Sequence, residues 1–137
     1  MQDIKFPFFE HVGATLKHIS GGYAETELIV KEHHLQHLGF VHGGVISTML
    51  DNTGWYAAMS QLDDTETSVT MQINIDYLKP SKCDKLICKA TVVQKGKRRS
   101  FVEIKLYDDC DSLIAVASGN YAVLAKKWHL QDIYEYG

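Results

Sequence analysis

The sequence predicts an α+β domain in which a curved antiparallel sheet of five to six strands wraps around one long central helix. Residues 44–60 are the only long helical candidate, and they are apolar on nearly all sides. Residues 69–77 alternate strictly between apolar and polar side chains, which is the pattern of a strand. No strand–helix–strand unit repeats along the chain, which disfavours a doubly wound sheet. A sheet curled around the helix covers its apolar surface, which must be covered nearly all round.

The first part of the chain predicts a short helix and a β-hairpin. The helix covers residues 3–11 and is broken by Pro7, because proline lacks an N–H and clashes with the preceding turn. The hairpin joins strands at residues 13–18 and 22–30 through a serine–glycine–glycine turn. The polar, histidine-rich segment 31–43 predicts a loop that leads into the long helix.

The rest of the chain predicts four strands and a tail. In the first strand, 69–77, the apolar side chains fall on one face and the polar ones on the other. The other strands are expected at residues 85–94, 100–107 and 113–124. A basic turn around Gly96 and an acidic turn at 108–112 separate them, and residues 126–137 predict a loose helix.

Length and composition indicate one globular domain over residues 1–137. The chain is 45% apolar and 23% charged and has only two prolines, which argues against disorder. A net charge of −3 gives no electrostatic reason to expect nucleic acid or an anionic membrane as a partner. No stretch is apolar enough for a membrane span or a secretion signal. We therefore expect a cytoplasmic protein with neither a membrane nor a nucleic-acid partner.

Cysteine and histidine do not form a recognisable reactive or metal-binding pattern. Cys83, Cys88 and Cys110 are odd in number and lack CxxC spacing, so we expect small packing residues in a reducing compartment. His33 and His37 would share a face and could bind a metal ion if their segment were helical. No HExxH pattern or nearby cysteine completes that site, and we expect no metal.

One carboxylate, Asp51, interrupts the long apolar helix. Helical spacing places mainly small residues on its face: Gly44, Ser47, Thr48, Gly54, Trp55 and Ala58. One interpretation is an ordinary charge on a solvent-exposed face. The other is functional, because a buried carboxylate costs several kcal/mol unless it is paired or hydrogen-bonded.

The helix begins beside two glycines, Gly43 and Gly44. Glycine lets a ligand approach the backbone closely. The first turn of a helix offers unpaired N–H groups and the positive end of the helix dipole. Together these features can bind a carbonyl oxygen or an oxyanion. The alternative is a plain flexible entry to the helix.

The distance between these two features predicts a homodimer if the site is catalytic. Gly44 and Asp51 are seven residues apart, which is about 10 Å along a helix axis. A catalytic base must come within about 3 Å of its target. One helix therefore cannot bring its N-terminus and Asp51 to the same carbonyl. Two antiparallel helices from two chains can, and two composite sites would result.

The segment HLQHLGFVHGGVISTMLDNTGWYA resembles the signature of hotdog-fold acyl-CoA thioesterases of the phenylacetate-pathway (PaaI-like) group. That signature is H-x-N-x-x-G-x-x-H-G-G, then six residues, then aspartate. Its positions here are His34, Gln36, Gly39, His42, Gly43, Gly44 and Asp51. INIDYLKPS and GKRRSFVEIKLYDDCDSLIAVASG resemble two later segments of the group, so the resemblance covers about residues 13–124.

The resemblance implies a hotdog fold and hydrolysis of acyl-CoA thioesters to free acid and coenzyme A. It implies no cofactor, because coenzyme A is part of the substrate. It also implies a homodimer, or a homotetramer made of two dimers, with active sites at the dimer interface. Two alternatives stay open, a non-catalytic acyl-CoA sensor and a hotdog-type enoyl-CoA hydratase or dehydratase.

The resemblance also implies catalytic roles for five residues. Asp51 is the general base or nucleophile, and the Gly43 N–H is the oxyanion donor. Thr70 helps to position the water or the acid, and His42 orients the loop and lines the site. Gln36 stands where the group usually has an asparagine that contacts the thioester carbonyl or the attacking water. Glutamine keeps the amide, but its extra methylene displaces it by about 1 Å or more.

Further residues are implied for substrate binding. Gly44 and Trp55 are expected to contact the substrate, although Trp55 also suits core packing. The basic turn contains Lys95, Lys97, Arg98 and Arg99. Within it, Lys97 and Arg98 are expected to contact the phosphates of coenzyme A. The alternative for these cations is a solvated hairpin turn.

Overall fold

The computed structural model describes residues 5–126. Two helices, one 3-10 turn and six strands follow one another along the chain. They are α1 (Pro7–Val12), β1 (Ala14–Ser20), β2 (Tyr23–Ile29), the 3-10 turn (Glu32–His34), α2 (Gly43–Met59), β3 (Glu66–Tyr77), β4 (Lys85–Lys95), β5 (Arg99–Asp108) and β6 (Leu113–Ala125). The helix predicted at residues 126–137 falls almost entirely outside the described residues.

The six strands form one antiparallel sheet in the order β1-β2-β4-β5-β6-β3. Helix α2 contacts all six strands, so the sheet curls around it. The predicted architecture, an antiparallel sheet around one long helix, is therefore confirmed. Strand β3 lies at one edge of the sheet and β1 at the other.

The core lies between α2 and the concave face of the sheet. On the helix, Met49, Leu50 and Ala57 are fully buried, and Leu86 and Ile104 are fully buried on the strands. Each large apolar side chain buried in this way contributes about 1.5–3 kcal/mol to folding. Although α2 is apolar, no helix within residues 5–126 is long and apolar enough to cross a membrane.

Pro7 begins α1 and does not break a longer helix, so that part of the sequence prediction was wrong. The first position of a helix suits proline, because the N–H that proline lacks has no partner there. The helix ends at Gly13, which has a positive φ of 97° and whose N–H bonds back to the helix carbonyls.

Strand β3 changes face along its length. Its register with β6 shifts between Thr70 and Gln72, so Met71 is the extra residue of a β-bulge. After the bulge, Ile73 packs against the core, whereas before it Val69 and also Met71 are exposed. The predicted alternation over residues 69–77 therefore fails at the bulge. Thr70, which it placed on the polar face, lies on the side facing α2.

The face of α2 around Asp51 is less open than its spacing predicted, because Gly54 and Ala58 are buried. Gly54 lies against Tyr121 of β6 and Ile104 of β5. A Cβ at this position would collide with the Tyr121 hydroxyl and would lie 2.7 Å from Ile104 Cδ1. Glycine is therefore needed here for close packing and not for backbone freedom.

Replacing Gly54 with alanine is expected to destabilise the fold, although alanine favours helices by about 1 kcal/mol over glycine. The added methyl group has no space, and such overpacking typically costs about 1–3 kcal/mol. Denaturant unfolding would measure the change. As a control, Ser47→Ala on the same helix should shift stability by no more than about 0.5 kcal/mol. A Gly54→Ala protein as stable as the wild type would contradict this packing.

Candidate active site

Asp51 lies in the middle of α2 and is partly buried. Thr70 on β3 donates a hydrogen bond from Oγ1 to Asp51 Oδ1 over 2.8 Å. Within residues 5–126 this is the only hydrogen bond to the carboxylate, so Oδ2 keeps its capacity to accept one from water or a ligand. Asp51 is thus neither a fully exposed surface charge nor a fully satisfied buried one.

Tyr121 on β6 contacts the same residue through the backbone. Its hydroxyl donates to the main-chain carbonyl oxygen of Asp51 over 2.9 Å, and Thr70 is its cross-strand neighbour. Burial, followed by the negative charge of Asp51, raises the pKa of Tyr121 far above its ordinary value. The hydroxyl therefore stays protonated and acts as a donor. Sequence analysis missed Tyr121, and its one signal was the unusual pair of glycines, Gly54 and Gly119, that make room for its ring.

His42 caps the N-terminus of α2. Its ring Nδ1 accepts the N–H of Gly44 over 2.7 Å, and its carbonyl accepts the N–H groups of Val45 and Ile46. The bond of Ile46 is the first regular bond of the helix, and the N–H of His42 itself bonds to the His34 carbonyl. Of the four donors that a helix start leaves free, those of His42, Gly44 and Val45 therefore have acceptors. The Gly43 N–H has no acceptor within residues 5–126. It is the helix donor left to bind a ligand oxygen.

Gly43 and Gly44 differ in role, although sequence reasoning treated them together. Gly43 is the first residue of α2, one position earlier than predicted, and the ring of Tyr77 lies beside it. The Tyr77 hydroxyl is 3.4 Å from the Gly43 carbonyl oxygen. At Gly44, a Cβ would lie 2.9 Å from His42 Nδ1, so the cap itself requires glycine.

Gln36 holds the loop that precedes α2. Its side-chain Oε1 accepts the N–H of Leu38 over 2.5 Å and that of Phe40 over 3.4 Å. Its carbonyl accepts the N–H of Gly39, a residue with a positive φ of 84°. The amide oxygen of Gln36 is therefore engaged within its own turn.

His34 anchors the same loop to α1. It is buried, its Nδ1 accepts the N–H of Lys31 over 2.8 Å, and its Nε2 is 2.5 Å from the carbonyl oxygen of Val12. Its own carbonyl accepts the N–H of His42. The first histidine of the signature thus positions the second, which caps α2.

The predicted substrate-binding side chains lie on different elements, Trp55 on α2 and the two cations in the β4–β5 turn. Trp55, one helical turn after Asp51, donates from Nε1 to the carbonyl of Ser68 over 2.7 Å and packs edge-on against Phe6. Lys97 and Arg98 lie exposed in the β4–β5 turn. Lys97 lines a cavity of about 490 Å³ beside the ends of β3 and β6. Neither cation forms an ion pair within residues 5–126.

The helical segment that would bring His33 and His37 onto one face is not present, because the 3-10 turn ends at His34 and His37 lies beyond it. In the part of the chain that the structure describes, one group could share an ion: Asp108, Asp109 and Cys110, with ligand atoms within 4.8 Å of one another. Asp108 already accepts the N–H groups of Cys110 and Ser112, which closes the β5–β6 turn.

The cysteines lack the surroundings of a nucleophile. All three are free thiols. Burial raises the pKa of Cys88 to about 12, and burial also raises the pKa of Cys83. Cys110 is exposed in a turn beside two aspartates. A thiolate is the reactive form, and burial disfavours it at Cys83 and Cys88.

The sequence of this chain matches a known family. Residues 38–115 match the model of the Thioesterase superfamily. The chain belongs to this superfamily. It is 31% identical over 115 residues to a putative esterase of Saccharolobus solfataricus, covering 84% of this chain and 76% of the relative. It is 25% identical over 118 residues to 1,4-dihydroxy-2-naphthoyl-CoA hydrolase of Listeria monocytogenes, covering 86% and 96%.

Solved structures share the fold of this thioesterase. A conserved protein of Pseudomonas aeruginosa superposes with a TM-score of 0.85 at 28% identity, covering 90% of this chain and 98% of that one. The PaaI protein of the E. coli phenylacetic acid degradation operon superposes with a TM-score of 0.81 at 21% identity, covering 88% and 86%. These structures confirm the expected hotdog fold, and the family match confirms the expected thioesterase relationship.

Removing the His42 cap is expected to weaken α2. His42→Ala leaves the Gly44 N–H without its acceptor, and loss of an N-cap side chain costs about 1 kcal/mol. His42→Asn supplies another side-chain acceptor and should recover most of that loss. Chemical denaturation of the three proteins would test this. Equal stability of His42→Ala and the wild type would show that the cap does not stabilise the helix.

Proposed function

We propose that this thioesterase hydrolyses acyl-CoA thioesters to a free acid and coenzyme A. The observation that carries the proposal is the hydrogen bond between Thr70 and Asp51, which holds a carboxylate in an otherwise apolar helix. The Listeria relative is named for hydrolysis of a coenzyme A thioester, which supports this substrate class. The match to a thioesterase family favours hydrolysis over the sensor and hydratase alternatives.

Asp51 is the group that either activates the attacking water or attacks the thioester itself. As a general base, its free Oδ2 takes a proton from water while the water oxygen bonds to the carbonyl carbon. The C–S bond then breaks, and the leaving thiolate of coenzyme A receives that proton. As a nucleophile, Asp51 would itself bond to the carbonyl carbon while the C–S bond breaks and coenzyme A leaves as the thiolate. Water would then hydrolyse the mixed anhydride, which releases the acid, restores the carboxylate and supplies the proton that the thiolate takes up. Both routes require the orientation that Thr70 gives to the carboxylate.

The N–H of Gly43 stabilises the oxyanion that forms on the carbonyl oxygen. It is the unoccupied donor at the positive end of α2 among the described residues, which supports this role. Gly43 and Asp51 of one chain are eight residues apart, which is about 12 Å along the helix. They therefore serve two different carbonyls, and each site needs a second chain.

The exposed edge of β3 is the surface that we propose for this second chain. It is twelve residues long, lacks lysine and exposes Val69, Met71 and Tyr77. The opposite edge, β1, is shorter and carries Lys17, features that discourage pairing. A two-fold axis across β3 would join two sheets and place two α2 helices side by side.

This pairing also explains how the two halves of a site would meet. Along β3, Thr70 contacts Asp51 and Tyr77 contacts Gly43. If two copies of β3 pair antiparallel about a two-fold axis between Ile73 and Asn74, Thr70 of each chain lies opposite Tyr77 of the other. Asp51 of each chain would then approach Gly43 of the other. A pairing of two such dimers is compatible with the same site.

The basic β4–β5 turn is our proposed contact for the phosphates of coenzyme A. Lys97 and Arg98 are exposed and free of ion pairs within residues 5–126, so their charges are available to an anion. Gly44 and Trp55 have defined structural contacts and support the site from the helix.

Asp51→Asn is expected to lower the turnover of acyl-CoA about 10²- to 10⁴-fold, because the amide can neither take a proton nor attack. Release of free thiol from a panel of acyl-CoA esters would measure it. Thr70→Ser keeps the hydroxyl and should stay close to wild type, whereas Thr70→Val should lose activity about tenfold or more. Asp109→Asn, on an exposed turn, is the matched carboxylate control. Near wild-type turnover by Asp51→Asn would end the assignment.

Gly43→Pro is expected to remove the oxyanion donor without breaking α2. Proline is favoured at the first helical position, and His42 before it already has the extended conformation that proline requires, with φ −63° and ψ 136°. Loss of one such donor lowers turnover about 10²- to 10³-fold. Gly43→Ala keeps the N–H, and its Cβ would meet Tyr77 at an ordinary 3.5 Å. It should therefore retain most activity.

Mixing the two inactive chains would test the composite site. Asp51→Asn supplies an intact Gly43, and Gly43→Pro supplies an intact Asp51. Refolded together in equal amounts, about half of the dimers are hybrids with one intact site of two, so about a quarter of wild-type activity should return. Sites built within single chains would give no recovery.

A further inference from the structure

The ring of Tyr121 fills a space that two glycines keep open. A Cβ at Gly119, two residues earlier on β6, would lie 2.6 Å from Tyr121 Cε2, and a Cβ at Gly54 would collide with the hydroxyl. Glycine inside a helix costs about 1 kcal/mol relative to alanine, and glycine inside a strand also weakens it. The fold tolerates both glycines where the Tyr121 side chain extends from β6 to α2.

The hydroxyl group of Tyr121 is not needed to fill that space. Phenylalanine would occupy nearly the same volume, and the residue is fully buried. What the hydroxyl adds is one hydrogen bond, to the carbonyl oxygen of Asp51. A carbonyl within an α-helix already has an acceptor role toward the N–H four residues later. The Tyr121 hydroxyl is therefore an additional tether at the peptide that carries Asp51.

The two tethers on Asp51 come from neighbouring strands. Thr70 on β3 binds the carboxylate, and Tyr121, its cross-strand neighbour on β6, binds the backbone of the same residue. One fixes the end of the side chain and the other fixes its base. The orientation of the carboxylate relative to the sheet depends on both.

We propose that Tyr121 is a positioning residue for catalysis, whose hydroxyl fixes α2 at Asp51 and so holds the carboxylate in its attacking orientation. This inference rests on the proposed function of Asp51. It assigns Tyr121 no contact with the substrate. Its effect should therefore appear in kcat and not in KM.

Tyr121→Phe is the test, in the full-length protein with an acyl-CoA that the wild type hydrolyses. We expect kcat to fall about tenfold, because small displacements of a catalytic group have effects of this order or larger. KM should stay within about twofold, since uniform binding is unchanged. Thermal unfolding should show that the protein is folded at the assay temperature. A kcat within about twofold of wild type would overturn the inference.

Thr26→Val is the matched control for general loosening of α2. Thr26 on β2 is fully buried, and its Oγ1 is 2.7 Å from Thr53 Oγ1 on the helix. This variant also removes a buried hydroxyl between the sheet and α2, but it does not touch Asp51. Its kcat should stay near wild type even if its stability falls as much as that of Tyr121→Phe. An equal fall in kcat for both variants would overturn the positioning role.

Asp51→Asn in the same assay separates this inference from the function on which it rests. If Asp51→Asn retains turnover, the assignment of Asp51 is wrong and the positioning role falls with it. If Asp51→Asn is inactive and Tyr121→Phe is fully active, only the positioning role is wrong. Loss of kcat in both, with Thr26→Val unaffected, supports both.

Discussion

The packing of α2 against the concave face of a single sheet holds every part of the candidate site. The helix is apolar on most sides and contacts all six strands, so packing in the core holds it firmly in one position. Against that background one carboxylate can stay partly buried, because the Thr70 hydroxyl donates a hydrogen bond to it while the Tyr121 hydroxyl binds the backbone of the same residue. Hydrogen bonding offsets the free-energy cost of burying the Asp51 carboxylate. The fixed position of the helix also gives that carboxylate a defined orientation.

The sequence was sufficient for the features that depend on local pattern. The long helix, the six strands and the position of Asp51 follow from periodicity and turn residues, which act over a few neighbours. The side on which Thr70 lies did not follow, because the bulge at Met71 exists only in the pairing of β3 with β6. Nor did the Tyr121–Asp51 contact, which joins residues 70 positions apart.

The start of α2 shows how one capping residue selects the chemistry of its neighbours. A helix begins with several unpaired N–H groups, all attractive to an anion. His42 accepts two of them, the N–H of Gly44 through its ring and that of Val45 through its carbonyl, and its own N–H bonds to His34. The Gly43 N–H remains. The buried His34 holds His42 in place, so the selection of the free donor at the helix end depends partly on a residue outside the helix.

The bulge in β3 determines which side chain of this edge strand faces Asp51. Before it, a hydroxyl faces the helix, and after it, isoleucines do. One residue more or less at this point would turn Thr70 outward and present an apolar side chain to Asp51. The identity of the group that meets the carboxylate is therefore encoded partly in the length of the strand. A change in that length would act on the site without altering any residue in it.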